Sequence, residues 1–397
     1  MTTIGVLGGD WRAMVSPGGA VRLSDGSPEL DWHVAADDRW HSPATEPTVR
    51  QTCVEGTPVV ETRVRIPSGD ALQRVYAVAG SGGLVVVEIE NDSPLPIAVA
   101  FTRGDVLSAR PPAAQPIRGI DLPPGSVLFP VGHHATLKVA LSPDGATQLP
   151  TALPPVVQVA GGWTSMSARA SRVGGVDEAW ELALVRERCA VALEGPDDEH
   201  PVDLLLGIGE LVRMGEAALP WVLDVADAVE RAAPSGDWAL PWALDAAARV
   251  MAAAGERRAR RDVLRLRGKA LSGAALSGAV PETMPAGIRA VPWIERRFAA
   301  LVGGAAWLLP YGFEPAWLGA SFECHGIPVG PSSSVSFAVR WHGDRPAVLW
   351  EVDGDPIDLT APAIASAWRT SDPAGETLWP APATAMARSA AESPSFG

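Results

Sequence analysis

Short alternating runs between glycine- and proline-rich breaks constrain the first part of this 397-residue chain more than any other feature. In residues 59–66 apolar or small side chains alternate with charged ones, which is the period of a strand with one buried face. The segment 67–70 (PSGD) has the composition of a turn, and a second run follows at residues 72–79. The pattern predicts a β-hairpin.

More runs of this kind follow, each bounded by Gly, Pro, Asn or Asp. They lie at residues 84–90, 97–101, 127–131 and 136–141, and shorter strand candidates precede them at 21–23 and 32–34. No helical pattern separates these runs, so sequential antiparallel pairing is favoured over a parallel sheet. We predict an antiparallel β-sandwich over residues 1–165.

The composition changes near Gly174-Gly175 to alanine, leucine, valine and charged residues at helical spacing. Helices are predicted at residues 177–193, 201–214, 219–233, 240–254 and 256–271. The joints between them are short, which favours antiparallel packing of consecutive helices. We predict an α-helical layer over residues 175–300.

An internal repeat lies in this helical part. The segment 218–224 (ALPWVLD) recurs 21 residues later as 239–245 (ALPWALD). Proline suits the first helical turn, and an aspartate four residues later lies near the positive end of the helix dipole. We therefore expect the two helices to begin alike, as elements of a curved or toroidal layer.

Strand patterns return near the C-terminus. Residues 334–341 alternate, Asp344-Arg345 is the predicted turn, and residues 347–352 form the returning strand, to which 321–327 is a candidate neighbour. We predict a small β-hairpin region over residues 320–370 and a disordered tail over 380–397. The expected class is a multi-part α+β fold.

Charge and composition limit the partners and the compartment. A net charge of −14 disfavours nucleic acid and anionic membranes, which proteins meet with Lys and Arg. The arginine-rich run 257–267 is predicted as a solvated helix face, with a minor site for an acidic ligand or partner as the alternative. Without a signal-peptide pattern or an apolar run of about 18 residues, and with three scattered cysteines, we expect a cytoplasmic protein with thiols.

The motifs predict no cofactor and no metal. Gly5–Asp10 is glycine-rich but lacks GxGxxG spacing, and neither a P-loop nor a GxSxG elbow occurs. Cys324-His325 and His133-His134 are adjacent pairs without a second pair of ligands, which is poor geometry for a tetrahedral metal site.

Tryptophan is unusually frequent, with 15 Trp against 7 Phe and 2 Tyr. Tryptophan fills cores or offers a flat face on which a sugar ring stacks, and composition does not choose between these roles.

The order of sandwich, helical layer and small β element resembles the six-hairpin glycosidase superfamily, in which an N-terminal sandwich packs on a helical toroid. The resemblance covers most of residues 50–370. It is carried by the strands 59–66, 75–78, 84–92 and 97–101, the helix starts at Trp221 and Trp242, and the segments 340–346 and 349–351. A toroid of twelve helices needs on the order of 300 residues, so the helical stretch here corresponds to about half a toroid.

The resemblance implies two carboxylates across a sugar-binding cleft, one as acid and one as base or nucleophile. The catalytic candidates are Asp237, Glu314 and Glu323, and the substrate-binding candidates are Trp221, Trp238, Trp242, Trp317 and His325. Helix capping is the alternative role for the aspartate, a solvated position for the glutamates, and core packing for the tryptophans.

Our leading hypothesis is a carbohydrate-recognition or accessory protein with a degenerate glycoside-hydrolase-like architecture that is not catalytic and whose partner is an oligosaccharide. The first alternative is an active glycosidase or glycan phosphorylase with two carboxylates facing one cleft. The second is a scaffold that offers an apolar helical face to a protein partner.

Overall fold

The computed structural model describes residues 1–80, 82–272 and 279–382. Within them the chain contains five β-sheets, antiparallel except for one strand pair, and seven α-helices, which confirms the mixed α+β class. The chain divides into two compact units, Met1–Thr164 with Ala192–Glu194, and Ser165–Val191 with the described residues from Gly195 onward. No helix in the described ranges has the length and apolarity of a membrane span.

The first unit is built from short strands. They are β1 Thr2–Gly5, β2 Arg12–Val15, β3 Val21–Leu23, β4 Trp32–Ala35, β5 Trp40–His41, β6 Arg50–Cys53, β7 Val60–Ile66, β8 Gly69–Val78, β9 Leu84–Asp92, β10 Ile97–Phe101, β11 Leu107–Ser108, β12 Val127–Val131 and β13 Thr136–Leu141. Three sheets result, with strand orders β1-β2-β3, β12-β10-β4-β5 and β11-β13-β9-β8-β7-β6.

The larger of two clusters of buried apolar side chains in this unit draws on the four-stranded and the six-stranded sheet. Val34 and Phe101 come from the former, and Val64 and Val87 from the latter. The alternation predicted for residues 59–66 is confirmed, because every second side chain of β7 is buried. The six-stranded sheet therefore turns one apolar face toward this core.

The helices are α1 Val156–Ala168, α2 Glu178–Glu194, α3 Pro201–Arg213, α4 Val222–Ala232, α5 Leu240–Ala253, α6 Arg257–Ser272 and α7 Ala290–Phe298. Local signals place their starts: the Asp177 side chain accepts the Ala179 N–H at 2.8 Å before α2, and Pro201 opens α3. The five predicted helices agree with α2–α6 to within a few residues. The sequence reasoning missed α1, which contains Gly161 and Gly162, and α7, which contains Pro292.

The expectation that both repeat helices begin alike is wrong. The first copy opens as a 3₁₀ turn, Leu219–Trp221, and α4 follows from Val222, whereas the second copy enters α5 directly at Leu240. A 3₁₀ turn is a common helix start, and the same start sequence here permits both forms.

The C-terminal strands form two sheets. They are β14 Arg172–Gly174, β15 Ala299–Val302, β16 Ala305–Leu308, β17 Phe322–Pro328, β18 Ser333–His342, β19 Arg345–Gly354, β20 Leu359–Ala361, β21 Ala365–Thr370 and β22 Ala374–Leu378. The strand orders are β14-β17-β18-β19-β22 and β15-β16-β20-β21.

The C-terminal hairpin agrees with the prediction except at its turn. His342 pairs with Arg345, so the turn is Gly343-Asp344 rather than Asp344-Arg345, and Gly343 has a φ of 64°. Glycine adopts this left-handed conformation without steric cost, which explains why the turn lies one residue earlier. Of the predicted tail, residues 383–397 lie outside the described residues.

Candidate functional site

An arginine bridges two aspartates close to the N-termini of α3 and α5. Asp203 lies in the first turn of α3, and Asp237 precedes α5, where its Oδ1 accepts the Ala239 N–H at 2.8 Å. Arg289 donates from Nε to Asp203 Oδ1 at 2.5 Å and from Nη2 to Asp237 Oδ2 at 2.9 Å. Asp237 thus holds the backbone just before α5, through the N–H of the N-cap residue Ala239, and is also one end of a charged bridge.

Two half-buried tryptophans continue from this bridge. Trp238 and Trp242 meet edge to face, with ring centroids 5.1 Å apart and planes at 88°. The Arg289 guanidinium lies 5.6 Å from the Trp238 ring, and that of Arg296 lies 4.9 Å from the Trp242 ring. Each indole therefore has a cation within cation–π range, which fixes ring and guanidinium relative to each other.

The electrostatics keep this bridge charged. Partial burial opposes the positive charge of Arg289, but the hydrogen bond to Asp203 and the charges of Asp203 and Asp237 outweigh it and raise the pKa of Arg289. A planar, permanently charged guanidinium offers fixed donors to ligand oxygens.

A largely buried ionic cluster lies elsewhere in the same unit. Glu210 accepts from Arg188 Nε at 2.7 Å and also from Arg213, while Glu295 accepts from Arg188 at 2.9 Å, from Arg213 at 2.8 Å and from the Ser171 hydroxyl at 2.6 Å. Such a network fixes four segments of chain around paired charges.

Glu210 stays ionised in this cluster. Burial opposes ionisation, but the neighbouring charges of Arg213 and Arg188 outweigh it and lower the pKa of Glu210 to about 2. A carboxyl with such a pKa does not donate a proton near neutral pH, so Glu210 is structural.

Asp245 of the second repeat copy forms a further buried ion pair. Its Oδ2 accepts from Arg296 Nη2 at 3.0 Å and from Arg267 Nη2 at 3.2 Å. Arg267 therefore turns inward from α6, while Arg257, Arg258 and Arg261 of the same helix are exposed. The arginine-rich run is only in part the solvated face that the sequence predicts.

Glu323 and His325 lie together on β17, with a carboxylate–imidazole distance of 3.3 Å. Glu323 also accepts from Arg172 at 3.0 Å and from Arg340 at 3.5 Å. The hydrogen bond with His325 is the main cause of the lowered pKa of Glu323. The surroundings of this carboxylate stabilise its charged form, whereas a general acid needs a raised pKa so that it carries a proton near neutral pH.

Glu314 and Trp317 have different environments although they share one turn. Trp317 is buried in the core, stacked on Phe298 with centroids 5.2 Å apart and planes at 15°, and its ring is enclosed by protein. Glu314 pairs with Arg297 at 3.4 Å and is partly exposed. These contacts describe Trp317 as a residue of the core.

Trp221 is half-buried and donates its indole N–H to Glu216 Oε2 at 3.3 Å. The structure thus brings Asp237, Trp238 and Trp242 together and pairs Glu323 with His325, whereas Trp221 contacts its own acidic neighbour.

Sequence reasoning missed Asp203, Arg289 and Arg296. One usable signal is the spacing of the two arginines, since residues seven apart fall on one face of a helix. The missing information is long-range, because Arg289 lies 86 residues from Asp203 and 52 from Asp237.

One grouping in the described ranges could hold a metal ion. Ligand atoms of Asp197, His200 and Asp203 all lie within 4.8 Å of one another. Asp203 is engaged by Arg289, and His200 Nδ1 lies 2.9 Å from Asp197 Oδ2, so these ligand atoms already have protein partners.

Comparisons with protein-family models and with curated proteins find no match for this chain. The proposal below rests on the geometry of the site.

Proposed function

We propose that the protein recognises carbohydrate without hydrolysing it, and that the ligand binds against Trp238 at the Asp203–Arg289–Asp237 bridge. The observation that carries this proposal is a half-buried indole beside a bidentate charged bridge.

A sugar ring suits this combination of groups. It has an apolar C–H face, which stacks on an aromatic ring, and a rim of hydroxyls, which donate to carboxylates and accept from a guanidinium. Charge-assisted hydrogen bonds from planar groups also give orientation, because their geometry is fixed.

The bridge is both fixed and reachable. The side chains of Asp203, Asp237 and Arg289 are each about one-fifth exposed. They are therefore held by one another while part of each remains open to a ligand, as binding sites with few, well-placed polar groups require.

The pKa values support binding without hydrolysis. A glycosidase needs one carboxyl whose pKa is raised so that it donates a proton near neutral pH. Among the catalytic candidates, Glu323 has a lowered pKa, chiefly because of its hydrogen bond with His325, and this favours its charged form over a proton donor. This favours the recognition protein over the active glycosidase or phosphorylase.

We also propose the finer architecture and the compartment. The core shared by two sheets supports a β-sandwich, and the consecutive helices α3, α4 and α5, joined by short connections, support a partial toroid as in a shortened six-hairpin glycosidase. The scattered cysteines support a cytoplasmic location.

The test is the melting temperature of the protein across a panel of α- and β-linked oligosaccharides, with product analysis for every binder. A ligand of the folded state raises the melting temperature by mass action. Asp237→Asn keeps a side-chain oxygen that accepts the Ala239 N–H but loses the charge that faces Arg289, so we expect binding at least about tenfold weaker.

Asp177→Asn is the matched control, because the Asp177 side chain accepts the Ala179 N–H at the start of α2 as the Asp237 side chain accepts the Ala239 N–H before α5. It is expected to bind like the wild type. A panel without any saturable shift would contradict carbohydrate recognition, and release of a shortened product would contradict the non-hydrolytic version of the proposal.

A further inference from the structure

A small cavity lies beside the buried ionic cluster of the second unit. Its volume is about 20 Å³, and its lining includes Trp242, Arg249, Glu295 and Arg296. A space above about 10–15 Å³ holds one water-sized species. The cavity therefore accommodates one such species and excludes a sugar ring.

The cavity lining holds two arginines and two glutamates, but the wider ionic cluster around it does not balance. It contains five arginines and three carboxylates, an excess of two positive charges among these groups. The arginines are Arg188, Arg213, Arg249, Arg267 and Arg296, and the carboxylates are Glu210, Asp245 and Glu295.

The two glutamates that line the cavity are already saturated. Both oxygens of Glu210 accept from arginines, and so do both oxygens of Glu295. Their oxygens are occupied by Arg188 and Arg213, so toward Arg249 and Arg296 they act through charge alone and accept no hydrogen bond from either.

Arg249 is the arginine with the fewest partners. Its Nη1 donates to the Gly330 carbonyl at 3.1 Å, but its buried Nε has no hydrogen-bond acceptor in the described part of the chain. Burial, followed by repulsion from Arg213, lowers the pKa of Arg249 to about 10, and burial likewise lowers that of Arg296. The Arg249 side chain as a whole is half-buried, but its Nε is a buried donor without an acceptor, and such a donor costs free energy.

We propose that this cavity binds one small monovalent anion of halide size, held by Arg249 and Arg296. Such an anion supplies the missing negative charge and fills the space of one water-sized species. A tetrahedral oxyanion such as sulfate or phosphate carries four oxygens and exceeds that space. The inference is independent of the carbohydrate site, because it uses neither Trp238 nor the Asp203–Arg289–Asp237 bridge.

The test is the melting temperature as a function of chloride or bromide at constant ionic strength, with gluconate as the replacing anion. We expect a saturable rise, because at an anion concentration 100 times the dissociation constant the unfolding equilibrium constant falls about 100-fold. Sulfate and phosphate are expected to give no saturable rise. An equal response to all these anions would overturn the proposal.

Arg249→Met removes the least compensated charge and is expected to abolish the halide response. In halide-free buffer this variant is expected to melt no lower than the wild type, whereas a purely structural arginine would make it melt lower. Arg261→Met, at an exposed position of α6, is the matched control and is expected to keep the response.

A second measurement applies if Arg249→Met does not fold. In wild-type crystals soaked in sodium bromide, we expect an anomalous difference peak in the cavity between Arg249 and Arg296. A cavity without a bromide peak would overturn the proposal.

Discussion

The two copies of the repeated segment share a sequence but differ in burial. In the second copy Leu244 is 1% exposed, and Asp245 is also buried and paired with Arg267 and Arg296. In the first copy the equivalent leucine, Leu223, is 81% exposed, and Asp224 is exposed as well.

The acidic residue before each copy differs in the same way. Glu216 accepts a hydrogen bond from Trp221 of its own copy, while Asp237 accepts the Ala239 N–H before α5 and pairs with Arg289. The heptapeptide thus encodes a helix start, and the neighbouring elements decide which of its side chains are buried and which are paired. In this repeat, the local sequence and the tertiary context therefore determine different properties of the same segment.

Of the substitutions that distinguish the two copies, that of the buried aspartate is expected to lower the free energy of unfolding most. Asp245→Asn leaves Arg267 and Arg296 without their shared charge, and removing one partner of a buried ion pair costs about 3–5 kcal/mol. Asp224→Asn changes only an exposed charge in a first helical turn and is expected to cost less than about 1 kcal/mol. Urea unfolding followed by circular dichroism measures both, and equal costs would break the comparison.

The second largest change in the free energy of unfolding is expected at the buried leucine. Leu244→Ala creates a cavity in the helical core and is expected to lower the free energy of unfolding by about 2–5 kcal/mol. Leu223→Ala, at the equivalent exposed position, is expected to change it by no more than about 0.5 kcal/mol. The comparison would fail if Leu223→Ala proved as damaging as Leu244→Ala.

The third prediction concerns the pH dependence of the free energy of unfolding, compared between Glu210 of the buried cluster and Glu216 before the first copy. The folded pKa of Glu210, about 2, lies below its ordinary value of 4.5, so its contribution is present above about pH 4.5 and is lost as the pH falls toward 2. The displacement corresponds to about 3 kcal/mol. We expect Glu210→Gln to remove this part of the pH dependence of the free energy of unfolding.

Glu216→Gln, before the first copy, is the control for that measurement. It removes an exposed carboxylate and is expected to keep the wild-type dependence between pH 2 and 4.5. The same loss of pH dependence in both variants would contradict a special role for the buried cluster.

The smallest effect comes from making the two heptapeptides identical. Val222→Ala converts the first copy to the sequence of the second. Helix propensity rises while some apolar area is lost, so we expect a change below about 1 kcal/mol. Hydrogen exchange is expected to show the first copy still less protected than the second, and equal protection would mean that Val222, not context, sets the difference.

The sequence predicts those parts of the fold that local chemistry decides. Alternation located β7, and the sequence of the second copy located the start of α5 at Leu240. The proline inside α7 hid that helix, although a proline in a first turn is compatible with one.

The candidate site was predictable only in part. Asp237, Trp238 and Trp242 are close in sequence, so their proximity follows from one helix start. Arg289 reaches Asp237 from a segment 52 residues away, and no local pattern encodes that contact. The buried position of Trp317 was not predictable either, since two of its aromatic neighbours in the core, Trp180 and Phe298, come from other segments of the chain.

The most direct test of the central claim is calorimetric titration of the oligosaccharide panel into wild-type protein, Trp238→Ala and Trp221→Ala. We predict saturable binding of at least one oligosaccharide to the wild type. Binding is expected to be lost in Trp238→Ala and retained in Trp221→Ala, because of these two tryptophans only Trp238 lies beside the Asp203–Arg289–Asp237 bridge. Binding that survives Trp238→Ala, or a panel that gives no binding heat with the wild type, would contradict the central claim.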